Sequence, residues 1–440
     1  METVTFIHAN VLDGTRAMNC YEDAAVIVKN GIIEAIYDDD AVVKGAVIDL
    51  SGKYLIPGLI NMHCHLAGNG KPQKIDDSTS DLIARQLKNP IGRFVMKTMA
   101  YQAARDSFFS GCTTIRTVGG LSDFDAQLRD EIKQGKKVGP HMYVANEAIS
   151  VPGGHMAGTL ALIAHSASEA EEMVKEISAE KPDLIKLMIT GGTLDIEKPG
   201  DEGKVLMSEE EISSVVSLAH KLGYKVSAHV QSTEGTLAAL RNKVDTIEHG
   251  ASINEETVRL FKENNAALIS TFTPVAIMAA LPTELSGLPG LYKQSCELYM
   301  DEIINGFKRA VREEIPIGLG LDNGSPYVTH YSFWRELDFF KRYVGVSSEY
   351  ALWCATGRNA QILGIDEKTG TIAPGKTADL LILDQDPLQD FRNLEYPSMI
   401  VKEGKIYRKP KVKRYKEIDQ LVDKVKDYDN RYICIERVMS

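Results

Sequence analysis

The chain has 440 residues, 44% of them hydrophobic, with 50 basic against 61 acidic side chains and a net charge of -11. That length carries one large domain plus a smaller one around substantial cores, and the acidic balance argues against a nucleic-acid binder, whose partner's phosphates demand a basic surface. The opening residues, Met1-Glu2-Thr3-Val4-Thr5-Phe6-Ile7-His8, lack a basic stretch followed by an apolar one, and no apolar run approaches membrane-spanning length, so the expectation is a cytoplasmic protein without leader or membrane contact. Six cysteines (Cys20, Cys64, Cys112, Cys296, Cys354, Cys434) show no paired spacing, which disfavours a disulfide framework and a thiolate zinc cage alike.

In chain order, short strands are predicted over residues 4–8, 24–28, 32–37 and 46–50, with Lys29-Asn30-Gly31 as a hairpin signal because Asn-Gly tolerates the positive φ of a tight turn. Eight apolar strands follow, over 59–62, 113–118, 142–145, 184–189, 225–229, 246–249, 267–271 and 317–321, alternating with amphipathic stretches. Residues 208–222 show the helical pattern: Glu209, Glu210 and Glu211 early, Ile212, Val215, Val216 and Ala219 at helical spacing, and Gly223 as a stop. Eight strand-helix units predict an α/β fold, a (β/α)8 TIM-like barrel over 58–365. Two connections are long, 67–94 and 274–315, and long loops at a barrel mouth commonly close over substrate. Within the later one, Val275-Ala276-Ile277-Met278-Ala279-Ala280-Leu281 reads either as an apolar subsite or as a helix packed on the barrel. A β-rich pattern returns over 378–384 and in a hairpin over 399–407, so 1–57 and 366–408 are expected to form one small β-sandwich domain from both ends. The charge-rich residues 409–440 carry Ile418, Leu421, Val422 and Val425 at helical spacing, which suits a packed helix or an oligomer contact.

Chemistry concentrates at predicted strand ends, where barrel enzymes place their sites. His63 and His65 flank Cys64, and since strand side chains alternate faces, both imidazoles point one way, a metal-chelating arrangement. Lys186, His229, His249 and Asp322 lie at the ends of later strands, and His155 follows Pro152-Gly153-Gly154 in the loop after the third. An ammonium embedded in the apolar run of Lys186 carries a heavy desolvation cost unless it is paired or its charge is removed. Pairing with a carboxylate is one solution; carboxylation by carbon dioxide, giving an anionic ligand able to bridge two metals, is the other, favoured by the ligands around it. His8, His141, His165, His220 and His330 have no converging partners and read as surface or hydrogen-bonded histidines.

The segments Pro57-Gly58-Leu59-Ile60-Asn61-Met62-His63-Cys64-His65, Ile247-Glu248-His249-Gly250, Asp322-Asn323-Gly324 and Gly375-Lys376-Thr377-Ala378-Asp379-Leu380, with Lys186 and His229, together resemble the amidohydrolase superfamily over nearly the whole chain. Gly153-Gly154-His155 and Ile185-Lys186-Leu187-Met188-Ile189-Thr190-Gly191-Gly192 are similar to its prolidase-like, Xaa-amino-acid dipeptidase branch, which is related to imidazolonepropionases. The resemblance implies a homo-oligomer holding two divalent ions of zinc type, one on His63, His65 and Asp322, the second on His229 and His249, with carboxylated Lys186 as the bridge. It implies hydrolysis of peptide or N-acyl bonds in small substrates such as dipeptides or N-acyl amino acids, through a metal-bridging hydroxide. Asp322 would move the proton, and His155 would steady the oxyanion, grip the carbonyl or merely order its loop. The alternatives are a cyclic-amide hydrolase or heterocycle deaminase, from which Lys186 separates the leading reading in part because deaminases and imidazolonepropionases generally use one metal without the lysine, and a non-catalytic scaffold, which has no reason to retain every ligand. Gln231 stands where dipeptidase relatives often carry a substrate-binding tyrosine, so a substrate carboxylate is expected to be held differently. Arg116 stands where the family usually has Arg-Asp; it is expected to lack its partner and to be structural.

Overall fold

The computed structural model describes residues 3–38, 42–72 and 77–439. All eight apolar runs are strands: β1 (Leu59–Cys64), β2 (Cys112–Thr117), β3 (His141–Val144), β4 (Leu184–Met188), β5 (Lys225–Val230), β6 (Thr246–His249), β7 (Ala267–Ser270) and β8 (Ile317–Leu319). Nearly every residue in them is buried, as parallel strands covered by helices require. β1, β2 and β3 pair in parallel, and so do β4 through β8 in sequence. Between the two sets, Asp183 N donates to Val144 O at 2.7 Å, and a short strand, Ala148–Ser150, pairs with β4.

The seam between β8 and β1 is closed by side chains. Asn359, fully buried, donates to Ile60 O (2.6 Å) and Leu319 O (2.9 Å) and accepts from Leu319 N (3.0 Å). On the other side, Asn61 Oδ1 accepts from Leu321 N at 2.9 Å and His63 N at 3.2 Å, and Asp322 N donates to His63 O at 2.8 Å. The register that sets His63 opposite Asp322 therefore depends on two asparagine amides.

The helices follow their local signals. Glu209–Lys221 starts with a reciprocal capping box between Ser208 and Glu211. The two long connections are helical rather than open loops. After β1 come Asp77–Lys88 and Pro90–Phe109, the latter capped by Asn89. After β7 come Phe272–Ala280, Thr283–Ser286 and Gly290–Arg312. Every residue of Phe272–Ala280 is buried, because a segment apolar on all sides finds a stable place only inside the molecule.

The terminal strands join in one mixed eight-stranded sheet. Thr3–Leu12 pairs antiparallel with Cys20–Lys29 and, on its other side, parallel with Ala46–Asp49 and then Tyr54–Pro57. Leu380–Leu383 continues from Tyr54–Pro57, followed by the hairpin Met399–Lys402 and Lys405–Arg408. Side chains from both ends of the chain, including Phe6, Val26, Leu55, Leu380, Ile382 and Val401, share one core. The two hairpin turns, Asn30-Gly31 and Glu403-Gly404, have positive φ throughout and pack on each other. A Cβ on Gly31 would lie 2.4 Å from Glu403 O, so the contact admits only glycine.

The last segment is packed rather than extended. Lys416–Val422 and Val425–Tyr428 bury Ile418, Val422 and Val425. Asp423 pairs with Arg335 (2.6 Å) and Arg392 (2.7 Å), and Tyr343 donates to Asp429 (2.6 Å). Among the described residues no helix is long and apolar enough to cross a membrane. Asn359→Leu keeps the volume but strands three backbone groups at the seam; an unfolding titration should show a loss of roughly 2–4 kcal/mol. An unchanged midpoint would mean that the seam holds without Asn359.

Candidate active site

Below the barrel mouth a single carboxylate, Glu248 on β6, is completely enclosed. Arg116 on β2 donates Nη2 to both of its oxygens (2.7 and 2.8 Å), and Ser227 Oγ on β5 and Thr246 Oγ1 each donate at 2.7 Å. Its last partner is His63 on β1, whose Nδ1–H donates at 2.8 Å. Burial alone would raise this carboxyl, but the Arg116 guanidinium, the His63 bond and Lys186 hold it well below the usual carboxylate range. Arg116 is thus not left without a partner: its carboxylate comes from β6, 132 residues along the chain, in place of a sequence neighbour. Arg116 also donates to Met62 O and Thr246 Oγ1.

With His63 Nδ1 committed, its Nε2 lone pair faces the cavity. His65 is fixed the same way, since its Nδ1–H donates to Gly119 O at 2.9 Å. The two Nε2 atoms then meet at 3.2 Å, with Asp322 Oδ1 at 3.6 Å from one and 3.4 Å from the other. His229 donates Nε2–H to Gly191 O (2.7 Å), leaving Nδ1, and His249 Nδ1 bonds Thr271 Oγ1 (2.6 Å), leaving Nε2. Ring centroids of His63 and His249 are 4.8 Å apart, and those of His229 and His249 are 4.6 Å apart. The ligand atoms of His63, His249 and Asp322 lie within 4.8 Å of one another. Burial lowers the pKa of all four imidazoles, that of His65 to about 4, so they are held in the neutral form that binds metal. His249 and Asp322 both adopt left-handed backbone, with φ of 70° and 56°.

Lys186 enters the same cavity from β4, 1% exposed. Among the described residues no carboxylate or carbonyl bonds its Nζ, so the ion-paired reading of this lysine is not what the structure contains. Desolvation lowers its pKa to about 8, which raises the share of the neutral amine, the form that reacts with carbon dioxide.

His155 stacks on His229 with centroids 4.1 Å apart, and its Nδ1 is bound by Asp195, a partner the sequence did not single out. Gly192 makes room for it, since a Cβ there would lie 2.1 Å from His155 Nδ1. Gln231 lines the cavity beside them, and its buried Oε1 has no hydrogen-bond partner. The structure therefore brings together His63, His65, His155, Lys186, His229, Gln231, His249 and Asp322 around one cavity. Its other wall is apolar, with Ile83, Met156, Leu160, Leu194, Val275 and Met278. The 275–281 run is thus both a packed helix and part of that wall. Of the histidines left aside, His141 meets Asp379 (3.2 Å) and His220 meets Asp245 (2.8 Å), while buried His330 donates to Gly68 O at 2.7 Å and contacts Asn323.

An amidohydrolase family model matches residues 54–407, from the last strand before the barrel to the closing hairpin. The chain belongs to the amidohydrolase family. This amidohydrolase is 24% identical over 455 residues to the ochratoxinase of Aspergillus niger, with 92% of this chain and 87% of the relative covered. It is 24% identical over 390 residues to the imidazolonepropionase of Picrophilus torridus, with 86% and 89% covered. Among solved structures, a Bifidobacterium longum protein provisionally assigned as a prolidase superposes with a TM-score of 0.84 at 31% identity, covering 96% of this chain and 99% of the other. A Xaa-Pro dipeptidase with bound methionine in its active site gives 0.79 at 26%, covering 92% and 100%.

Glu248→Gln keeps the shape but removes the charge that pairs with Arg116 and orients His63. The amidohydrolase should lose roughly 3–5 kcal/mol of stability and bind metal about 10–100-fold more weakly, read by thermal unfolding and by metal titration of the folded fraction. Full retention of metal affinity would show that His63 needs no such partner.

Proposed function

We propose that this chain is a metal-dependent hydrolase of amide bonds, peptide or N-acyl, in small substrates such as dipeptides and N-acyl amino acids. One observation carries the reading: His63 Nε2 and His65 Nε2 face each other at 3.2 Å with both lone pairs turned inward and a carboxylate beside them. That arrangement is repulsive without a cation, and neutral imidazole with carboxylate suits zinc. His63, His65 and Asp322 would hold one ion and His229 with His249 the second. Lys186, buried with no hydrogen-bond partner among the described residues, would bridge them as N6-carboxylysine. Bound there, the two ions would supply an activated water at neutral pH and polarise the scissile carbonyl.

The chain's own groups divide the remaining work. Asp322 would accept the proton as water adds to the carbonyl carbon and return it to the nitrogen as the C–N bond breaks. His155, whose Nδ1–H is held by the Asp195 carboxylate, would donate Nε2–H to the developing oxyanion or the substrate carbonyl as the imidazolium of that pair, and Gln231 is the candidate polar contact beside it. The relative solved as a Xaa-Pro dipeptidase with methionine in its site supports the dipeptide end of this range. A cytoplasmic homo-oligomer completes the proposal.

The test is elemental analysis of protein purified without chelator in bicarbonate buffer, paired with hydrolysis of a dipeptide and N-acyl amino acid library. About two ions per chain with cleavage is expected, and Lys186→Ala should lose both. One ion per chain, or two with no cleavage, would replace this reading with cyclic-amide hydrolysis or deamination.

A further inference from the structure

Two lysines are among the described residues that line the cavity, Lys186, which is buried and assigned above to the metal bridge, and Lys71, which is exposed. Lys71 is exposed, yet its position is set from several sides. Gly68 O accepts from His330 Nε2 (2.7 Å), Gly70 O accepts from Tyr327 N (2.7 Å), and Asn69 Oδ1 accepts from Lys71 N (2.9 Å). The first two donors lie in the segment that begins at Asp322, so one stretch of chain carries a candidate metal ligand and clamps the backbone leading to the lysine. No carboxylate among the described residues pairs with Lys71. Its ammonium lies over the ring of Tyr415, 5.1 Å from the centroid. Tyr415 belongs to the C-terminal segment, and its backbone N donates to Tyr331 Oη at 2.7 Å, again on the stretch that follows Asp322.

An aromatic face steadies an ammonium without neutralising it, so among the described residues nothing cancels the charge of Lys71, which lines the same cavity as the apolar side chains. A carboxylate would be drawn there, and Gln231, an uncharged amide, offers no charge to hold one deeper in the cavity. We propose that Lys71 anchors the free carboxylate of the substrate, with Tyr415 as its positioning residue, so that the site selects molecules bearing a carboxylate beside an apolar group. The inference rests on the amide-hydrolase reading for the reaction but not for the binding.

The experiment therefore begins with binding. Metal-loaded protein is titrated calorimetrically with L-leucine and with L-leucinamide, and the carboxylate and carboxamide forms of each cleaved library substrate are then compared. Wild type should prefer the carboxylate, and Lys71→Met should weaken that form alone by about 10–100-fold, as a KM effect with kcat largely kept. Lys71→Arg should retain most of the preference. Tyr415→Leu should erode it several-fold and Tyr415→Phe should preserve it. A wild type without preference, or a Lys71→Met variant that weakens both forms equally or neither, overturns the proposal. A protein that prefers the carboxylate but cleaves nothing keeps Lys71 in this role and ends the amide-hydrolase reading instead.

Discussion

The rest of the site depends on the enclosed charge of Glu248. A carboxylate at the centre of a barrel is tolerable only when its lone pairs are filled, and here the donors come from β1, β2, β5 and β6. Filling them fixes the relative heights of those strands. It also spends the Nδ1–H of His63, so the imidazole that points upward is already in the tautomer and orientation of a ligand. Electrostatic satisfaction below and the placing of the imidazoles above are one network.

That network draws on stability elsewhere. His249 and Asp322 sit in left-handed backbone, a conformation that side-chain-bearing residues rarely adopt and that persists where the surroundings over-determine it. For Asp322 the surroundings are the β8–β1 seam, where Asn61 and Asn359 replace ladder hydrogen bonds. Strain at Asp322 and side-chain stitching at the seam are therefore linked features of the same corner.

Much of this was legible from the sequence because it is local. Strand runs announce themselves by composition, the Asn30-Gly31 turn by its φ requirement, and the ligands by residue types that have little other reason to end apolar strands. The family-bearing motifs made the barrel readable together with the residues that line its cavity. What was not legible is long-range. The partner of Arg116 arrives from another strand, Asp195 reaches His155 across a fold of chain, and His330 turned out to clamp Gly68. None of these has a spacing that a single sequence displays. The long connections, read as loops apart from the 275–281 run, are largely helical: Phe272–Ala280 is buried on all sides and shows no amphipathic stripe, whereas the helices after β1 leave Leu82, Ile91 and Phe94 exposed, which blurs theirs.

The meeting of the two terminal hairpins has a consequence for how the molecule is assembled. Tyr54–Pro57 runs with a single-residue break into β1, the strand that ends in His63 and His65, and its outer neighbour is Leu380–Leu383. During synthesis the amino-terminal strands therefore wait for more than three hundred residues before the sheet that holds the base of β1 can be finished. The strand that supplies the first two imidazoles gains its barrel neighbours and the Asn359 seam earlier, but the sheet at its base is complete only once Leu380–Leu383 has left the ribosome.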